Sequence, residues 1–447
     1  MKKLLSLMLV LAMVMSMTAC GTAPAPSEEA APAPEASQSE AAPSEEAPAE
    51  GAPAEVVAAE ALNNVADDKA AEYLEFYFEI APMTGDINAD TFNAAVAKLN
   101  PDVKVEGELT MDSAIKAAVE VAGLKELALV YTAEKTARGT EGLTVSEENA
   151  PFVATAIEAG LASKDWDYSK VTGEVASELL YKAAEMAGMA RNYLGNSCDE
   201  DIYREIQSAW ATFGNFDDDK LSALGADLVI EGASTGYNLK FDGFNANFLP
   251  EYTLQYGHSS IKHAKQLIAL LNSEGITAKV ALEPKTSIYE YMVEWGDPTG
   301  VAKTPTYELR PIEGGRYLCY ATEYDMKLEF NSIEEKNAFD AIVGKYAKKW
   351  DSNTDGDGNP TVALLAGAWW QPLYTSTVPM EDAENFTLIH DNVIRNGAYT
   401  IHPFSTTDGG EAIANVVKTE APDLSVEVVD LYVNNAFYRY LTGASHE

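Results

Sequence analysis

Apolar residues recur at helical spacing through the first half of the chain, and strand-like alternation with interposed helices fills the second. In 58–80, Leu62, Val65, Tyr73, Leu74, Tyr77 and Phe78 predict a helix. Asp90 is placed to cap a short helix through Leu99, which Asn100-Pro101 ends. Thr110 opens a helix with Ala114, Ala117, Ala118, Val121 and Ala122 on one face, and Gly123 stops it. The layout then recurs. Residues 150–159 predict a short helix, and Thr172 opens another that runs to Gly188; the threonines are 62 apart and the glycines 65 apart. The second long helix should therefore exceed the first by three residues, close to one turn. Helix, loop, Thr-x-acid, helix is the layout of a repeat unit.

Beyond residue 196 the aromatics increase. Leu228–Ile230 predicts a strand, 237–249 a loop, and 252–256 a strand. Ser259 or Ser260 caps a helix through Glu274, with Ile261, Ala264, Leu267, Ile268 and Leu271 on its buried face and Gly275 at its end. Strands are expected over 276–282, 316–330, 364–374, 386–390, 398–402 and 424–433, with helices over 333–350 and 410–419. The β-α-β order suggests a ferredoxin-like α/β sandwich with a mixed sheet. The expected class is thus α+β: an all-helical, repeat-like region followed by that sandwich.

The N-terminus carries the strongest signal. Lys2 and Lys3 precede an apolar run from Leu4 to Met17, too short for a stable membrane span and suited to a secretory leader. It ends in Met17-Thr18-Ala19-Cys20, which resembles the lipobox of bacterial lipoproteins. That resemblance implies cleavage before Cys20 and acylation of its thiol. Burying acyl chains contributes about 0.8 kcal/mol per CH₂, so two or three chains hold a protein firmly on a bilayer. Gly21–Glu55 has seven prolines, eight glutamates and no Lys, Arg or aromatic residue, a composition that cannot bury a core. The expected organisation is a signal peptide (1–19), an acidic Pro/Ala/Glu tether (20–55), a helical region (56–195) and an α/β domain (196–447).

Phe152–Leu161 and the two openings Thr110-Met111-Asp112-Ser113-Ala114 and Thr172-Gly173-Glu174-Val175-Ala176 resemble S-layer homology repeats. The resemblance implies a wall-binding helical module. The family places an arginine after the threonine to grip an anionic wall polysaccharide; Met111 and Gly173 stand there in this chain.

Charge narrows the partners. The 447 residues carry a formal net charge of -39, which repels nucleic acid and anionic lipid. Cys198 and Cys319 are expected as two separate buried thiols. Polar groups gather near the predicted strand ends. His258, Glu283, Lys285 and His402 form a candidate ligand-binding set, with Glu283–Ser287 read as a binding loop after a buried strand. Trp370 and Gln371 offer stacking and hydrogen bonding to a flat ligand such as a sugar. Asp351, Asn353 and Asp355, followed by Gly356, match the first half of a calcium loop, but Val362 stands where a closing acid belongs. No H-E-x-x-H is present, and no cofactor is assigned beyond that candidate Ca²⁺ site. The sequence favours a lipid-anchored extracytoplasmic binding or envelope-associated module without catalysis, its partner a wall polysaccharide or a small extracellular ligand. The alternatives are an extracytoplasmic hydrolase or metal-dependent enzyme with its site in the C-terminal domain, and a solute-binding lipoprotein. Cys20→Ser is expected to abolish palmitate labelling and to move the protein from the membrane to the soluble fraction.

Overall fold

The structure is a computed structural model that describes residues 69–292, 295–344, 373–381, 385–405 and 407–442. Cys20 and the tether lie outside the described residues. So do Asp351, Asn353, Asp355, Trp370 and Gln371. The chain divides into two compact units at Ala190/Arg191.

The first unit is built from α1 (Ala70–Phe78), α2 (Ala89–Leu99), α3 (Met111–Val121), α4 (Lys125–Leu129), α5 (Ala133–Gly139), α6 (Ala150–Glu158) and α7 (Gly173–Met186). Thr110 and Thr172 are true N-caps: their hydroxyls accept the Ser113 and Val175 amides. The two helices they open have 11 and 14 residues. Asn88, rather than Asp90, caps α2 by accepting the Thr91 amide. Gly173 is required by close approach, since a Cβ there would stand 2.2 Å from the Met83 carbonyl carbon.

The second unit corrects the expected ferredoxin-like sandwich. Its strands are β1 (Gly195–Asn196), β2 (Gly236–Phe241), β3 (Thr253–His258), β4 (Ala278–Glu290), β5 (Tyr307–Ile312), β6 (Arg316–Phe330), β7 (Tyr374–Ser376), β8 (Phe386–Asn396), β9 (Tyr399–Pro403) and β10 (Ser425–Asn434). Every pairing is antiparallel. Eight strands close into a barrel in the order β4-β2-β9-β8-β10-β7-β3-β6, and the β4–β6 ladder completes the ring. β1 and β5 add to the outer edges of β4 and β6. A β-α-β order need not be a parallel crossover: the helix after β3 returns the chain to β4, but β3 pairs with β6 and β7.

Three other expectations change with it. Leu228–Ile230 ends a helix, the expected 237–249 loop begins as strand β2, and the predicted Glu283–Ser287 loop is the middle of the 13-residue strand β4. Pro284 gives this stretch of strand the composition of a loop. It falls between the stretch of β4 paired to β1 (279–280) and that paired to β2 (286–289), where the missing amide breaks no ladder on that edge.

Helices α8 (Ile202–Ala211), α9 (Asp219–Ile230), α10 (Ile261–Ser273), α11 (Ile333–Gly344) and α12 (Thr407–Glu420) pack on one face of this sheet. Against α8, α10 and α11 lie Leu254, Tyr256, Val280, Leu282, Tyr324, Met326, Leu328 and Phe330. Against α9 and α12 lie Tyr237, Leu239, Ile288, Tyr320, Ile394 and Ile401. Phe339 of α11 meets Phe330 and Tyr374 edge-on at 5.8 and 5.0 Å; burying such a ring contributes about 1.5–3 kcal/mol. Because side chains alternate, the next residue of each strand turns away from the helices, into the barrel. The short α13 (Asn435–Leu441) folds back on that inner face, against Ile389 and Val433.

Gly225 of α9 lies on the Tyr237 ring, where a Cβ would come within 2.4 Å of Cζ. Gly225→Ala would help an isolated helix by about 1 kcal/mol. Here the overpacking is expected to dominate and cost about 1–3 kcal/mol, visible as a lowered Tm of the barrel transition; an unchanged or raised Tm would contradict this packing.

Candidate functional site: the polar interior of the barrel

The inner face of the two longest strands is charged. β4 contributes Lys279, Glu283, Lys285 and Ser287; β6 contributes Glu323, Asp325, Lys327 and Glu329. Register sets them opposite one another as Lys279↔Glu329, Glu283↔Asp325, Lys285↔Glu323 and Ser287↔Ala321. From β2, Asn238 and Lys240 point the same way, and β9 places His402 and Thr400 opposite them.

These groups form one network centred on Asp325. Its carboxylate receives the Lys285 ammonium at 2.8 Å and the Lys240 ammonium at 2.5 Å. Burial opposes the charge on Asp325, but Lys240 and Lys285 outweigh it and hold the carboxyl well below the usual range. Burial likewise opposes the charge on Lys240, and Asp325, Glu283 and Asp391 together raise its pKa above the ordinary lysine value. Gly257 of β3 makes room, because a Cβ there would press on Asp325 and Lys285 at 3.0 and 3.1 Å. Glu283 accepts from Lys327 at 3.0 Å and from the Ala246 amide at 2.8 Å. Glu329 pairs with Arg191 at 3.1 Å and accepts the Leu249 amide at 2.6 Å. The segments before β1 and after β2 thus pack on this part of the face, with Tyr193 and Phe248 against Ala281.

Solvent reaches parts of the wall on both sides of Asp325 along β6. Glu323 and Lys327 are each 26 % exposed, and His402 and Asp391 each 19 %. Glu323 lies 2.7 Å from the Ser287 hydroxyl, which also lies 2.7 Å from the Asn238 carbonyl oxygen. Farther along β4, opposite Cys319, burial, then Cys319 and Glu323, push the Tyr289 hydroxyl well above its ordinary value. Tyr289 and Tyr307 both hydrogen-bond the Cys319 thiol, which burial pushes up to about 11. Cys198 and Cys319 are both free; Cys319 is buried as expected, whereas Cys198 is exposed.

His402 bridges two partners. Its Nδ1 is 2.7 Å from Asp391 Oδ2, and its Nε2 is 3.1 Å from the Thr400 hydroxyl. An aspartate that orients an imidazole beside a hydroxyl is the geometry of a general base. Thr400, however, is only 3 % exposed, so a substrate has no approach to its oxygen.

Of the candidate set, the fold brings Glu283, Lys285 and His402 onto one inner wall. His258, at the end of β3, carries a different load. Its Nδ1 accepts the Ser259 and Ser260 amides at 2.9 and 2.8 Å, so its proton sits on Nε2, 2.6 Å from His263 Nδ1. Both ring nitrogens are engaged in joining β3 to α10. Lys240, Asp391, Asn238 and Lys327 were not singled out by sequence. The alternation Glu323, Asp325, Lys327, Glu329 against Tyr324, Met326, Leu328, Phe330 was the available signal. Among the described residues no group of three or more His, Cys, Asp or Glu is arranged to hold a metal ion, and no helix is long and apolar enough to cross a membrane. No family model matches the chain, and neither a curated protein nor a solved structure matches it.

Two outcomes follow for stability. Asp325→Ala leaves two buried ammonium groups without their shared counterion and is expected to cost about 3–5 kcal/mol in chemical denaturation. Burial, with His263 and Lys285 adding to it, lowers His258 to about 3, and burial with Lys262 lowers His263 to about 4. The unfolded chain, with ordinary imidazoles near pKa 6.5, binds more protons below that pH. Stability should therefore be complete above about pH 6.5 and fall as pH drops toward 4. In His263→Gln the Tm should depend less steeply on pH across that window; an equal slope would contradict the assignment.

Proposed function

We propose that this chain is a lipid-anchored surface protein of the bacterial envelope, held at Cys20 and displayed on the 20–55 tether, whose barrel is a non-catalytic binding module for a small extracellular ligand. The observation that carries the reading is the inner wall: charged groups that ordinarily face outward line a closed barrel, and four of them remain open to solvent. Small barrels are commonly filled by side chains or hold one small ligand. A wall of balanced ion pairs costs desolvation energy, which apolar filling would avoid. A binding role accounts for keeping them.

The helical unit is the proposed wall-facing part, but its grip on polysaccharide would not come from the two positions after the threonines. Met111 is buried, and Gly173 has no room for a side chain. Catalysis is not proposed, because His258 is committed to structure and Thr400 is covered.

The test is a thermal-shift screen of the intact protein against sugars, amino acids and divalent cations. A ligand at 100 times its Kd stabilises by about 2.7 kcal/mol. One class is expected to raise Tm, with the shift reduced in His402→Ala and Glu323→Gln. No shift with any class, or a shift untouched by both variants, would remove the barrel from the reading.

A further inference from the structure

We infer that the barrel interior binds a small zwitterion, of the size of an amino acid or short peptide, with its ammonium group at Glu323 and its carboxylate at Lys327. The inference rests on the binding role proposed above and names the ligand class for the same site.

The charges of β2, β4 and β6 on the central wall balance, with Lys240, Lys285 and Lys327 against Glu283, Glu323 and Asp325, while Asp391 of β8 is taken up by His402 and Lys240. A ligand of net charge zero preserves that balance. Within the wall, Lys285 is committed to Asp325 at 2.8 Å and stands 4.0 Å from Glu323, so Glu323 is the least neutralised carboxylate of the three. It is also half-buried, with the Ser287 hydroxyl donating to it at 2.7 Å. Lys327 is the most exposed of the three ammonium groups. Among the described residues its one ion-pair partner is Glu283, on one side. An ammonium has three donors, which leaves capacity for a ligand carboxylate.

Glu323 and Lys327 face the same way on β6, four residues apart, about 13 Å between Cα atoms. Their side chains span part of that distance, and a zwitterion whose charges are a few bonds apart covers the rest. An apolar occupant would strip water from both groups and replace it with nothing, at several kcal/mol per ion. A simple cation or anion would satisfy only one of them.

The test is calorimetry and thermal shift on the intact protein with glycine, γ-aminobutyrate and diglycine as zwitterions, choline as cation, propionate as anion and glucose as neutral control. At least one zwitterion should bind about tenfold or more tightly than choline and propionate, a difference of about 1.4 kcal/mol. Glu323→Gln and Lys327→Met should each weaken it by about tenfold or more. Equal binding of choline, or of propionate, overturns the two-ended site, and this comparison needs no variant to fold. Binding of glucose without any zwitterion overturns the ligand class while sparing the barrel as a binding module. Failure of every zwitterion overturns the inference; failure of every compound in the wider screen overturns the binding role as well.

Discussion

Two lysine ammonium groups share the carboxylate of Asp325, and the interior of the barrel is arranged around that contact. The lysines come from β2 and β4 and the acid from β6, so one ion pair joins the neighbouring strands β4 and β6 and the other reaches across β4 from β2. Each charge taken from water carries a penalty of several kcal/mol, repaid only when the partners are close and the remaining hydrogen-bonding sites are filled. Here the partners are close, although Asp325 Oδ2 and Glu329 Oε1 are met by ion pairs without a hydrogen bond. Glu283 has Lys327 and the Ala246 amide, and Glu329 has Arg191 and the Leu249 amide. Neutral ladder pairs alone would hold β4 against β6. The charges fix which face points inward, since a one-residue slip would turn every ion pair toward the helices and every apolar side chain toward the lumen.

The helices cover the outside and make that inversion possible. In an open sheet with one wet face, Tyr324, Met326, Leu328 and Phe330 would form the core face and Glu323 to Glu329 the surface. Closing the ring encloses the wet face. Most elements were legible in the sequence because their periodicity is local: 316–330 is β6, and Ser259-Ser260 and Gly275 bracket α10. The two threonine-capped helices, of 11 and 14 residues, were legible for the same reason.

Strand order was not legible, because it depends on contacts between residues that may lie 100 positions apart. The β-α-β pattern, taken as a parallel crossover, led to a sandwich where the chain forms an antiparallel barrel. The candidate site was legible in part. Glu283, Lys285 and His402 share the inner wall without touching one another, Pro284 disguised a strand as a loop, and Lys240 and Asp391 carried no local sign of their role. His258 stood out as a rare residue next to polar neighbours, and those neighbours are what occupy it.

The binding role proposed for the barrel requires that water, and therefore a ligand, reach the charged wall inside it. Carbodiimide labelling of the intact protein with a small amine, read residue by residue by mass spectrometry, tests it most directly. Glu323 and Asp391 are predicted to be modified readily, while Asp325 and Glu329, both nearly fully buried, are spared. Protection of Glu323 and Asp391 to the same degree as Asp325 would contradict it.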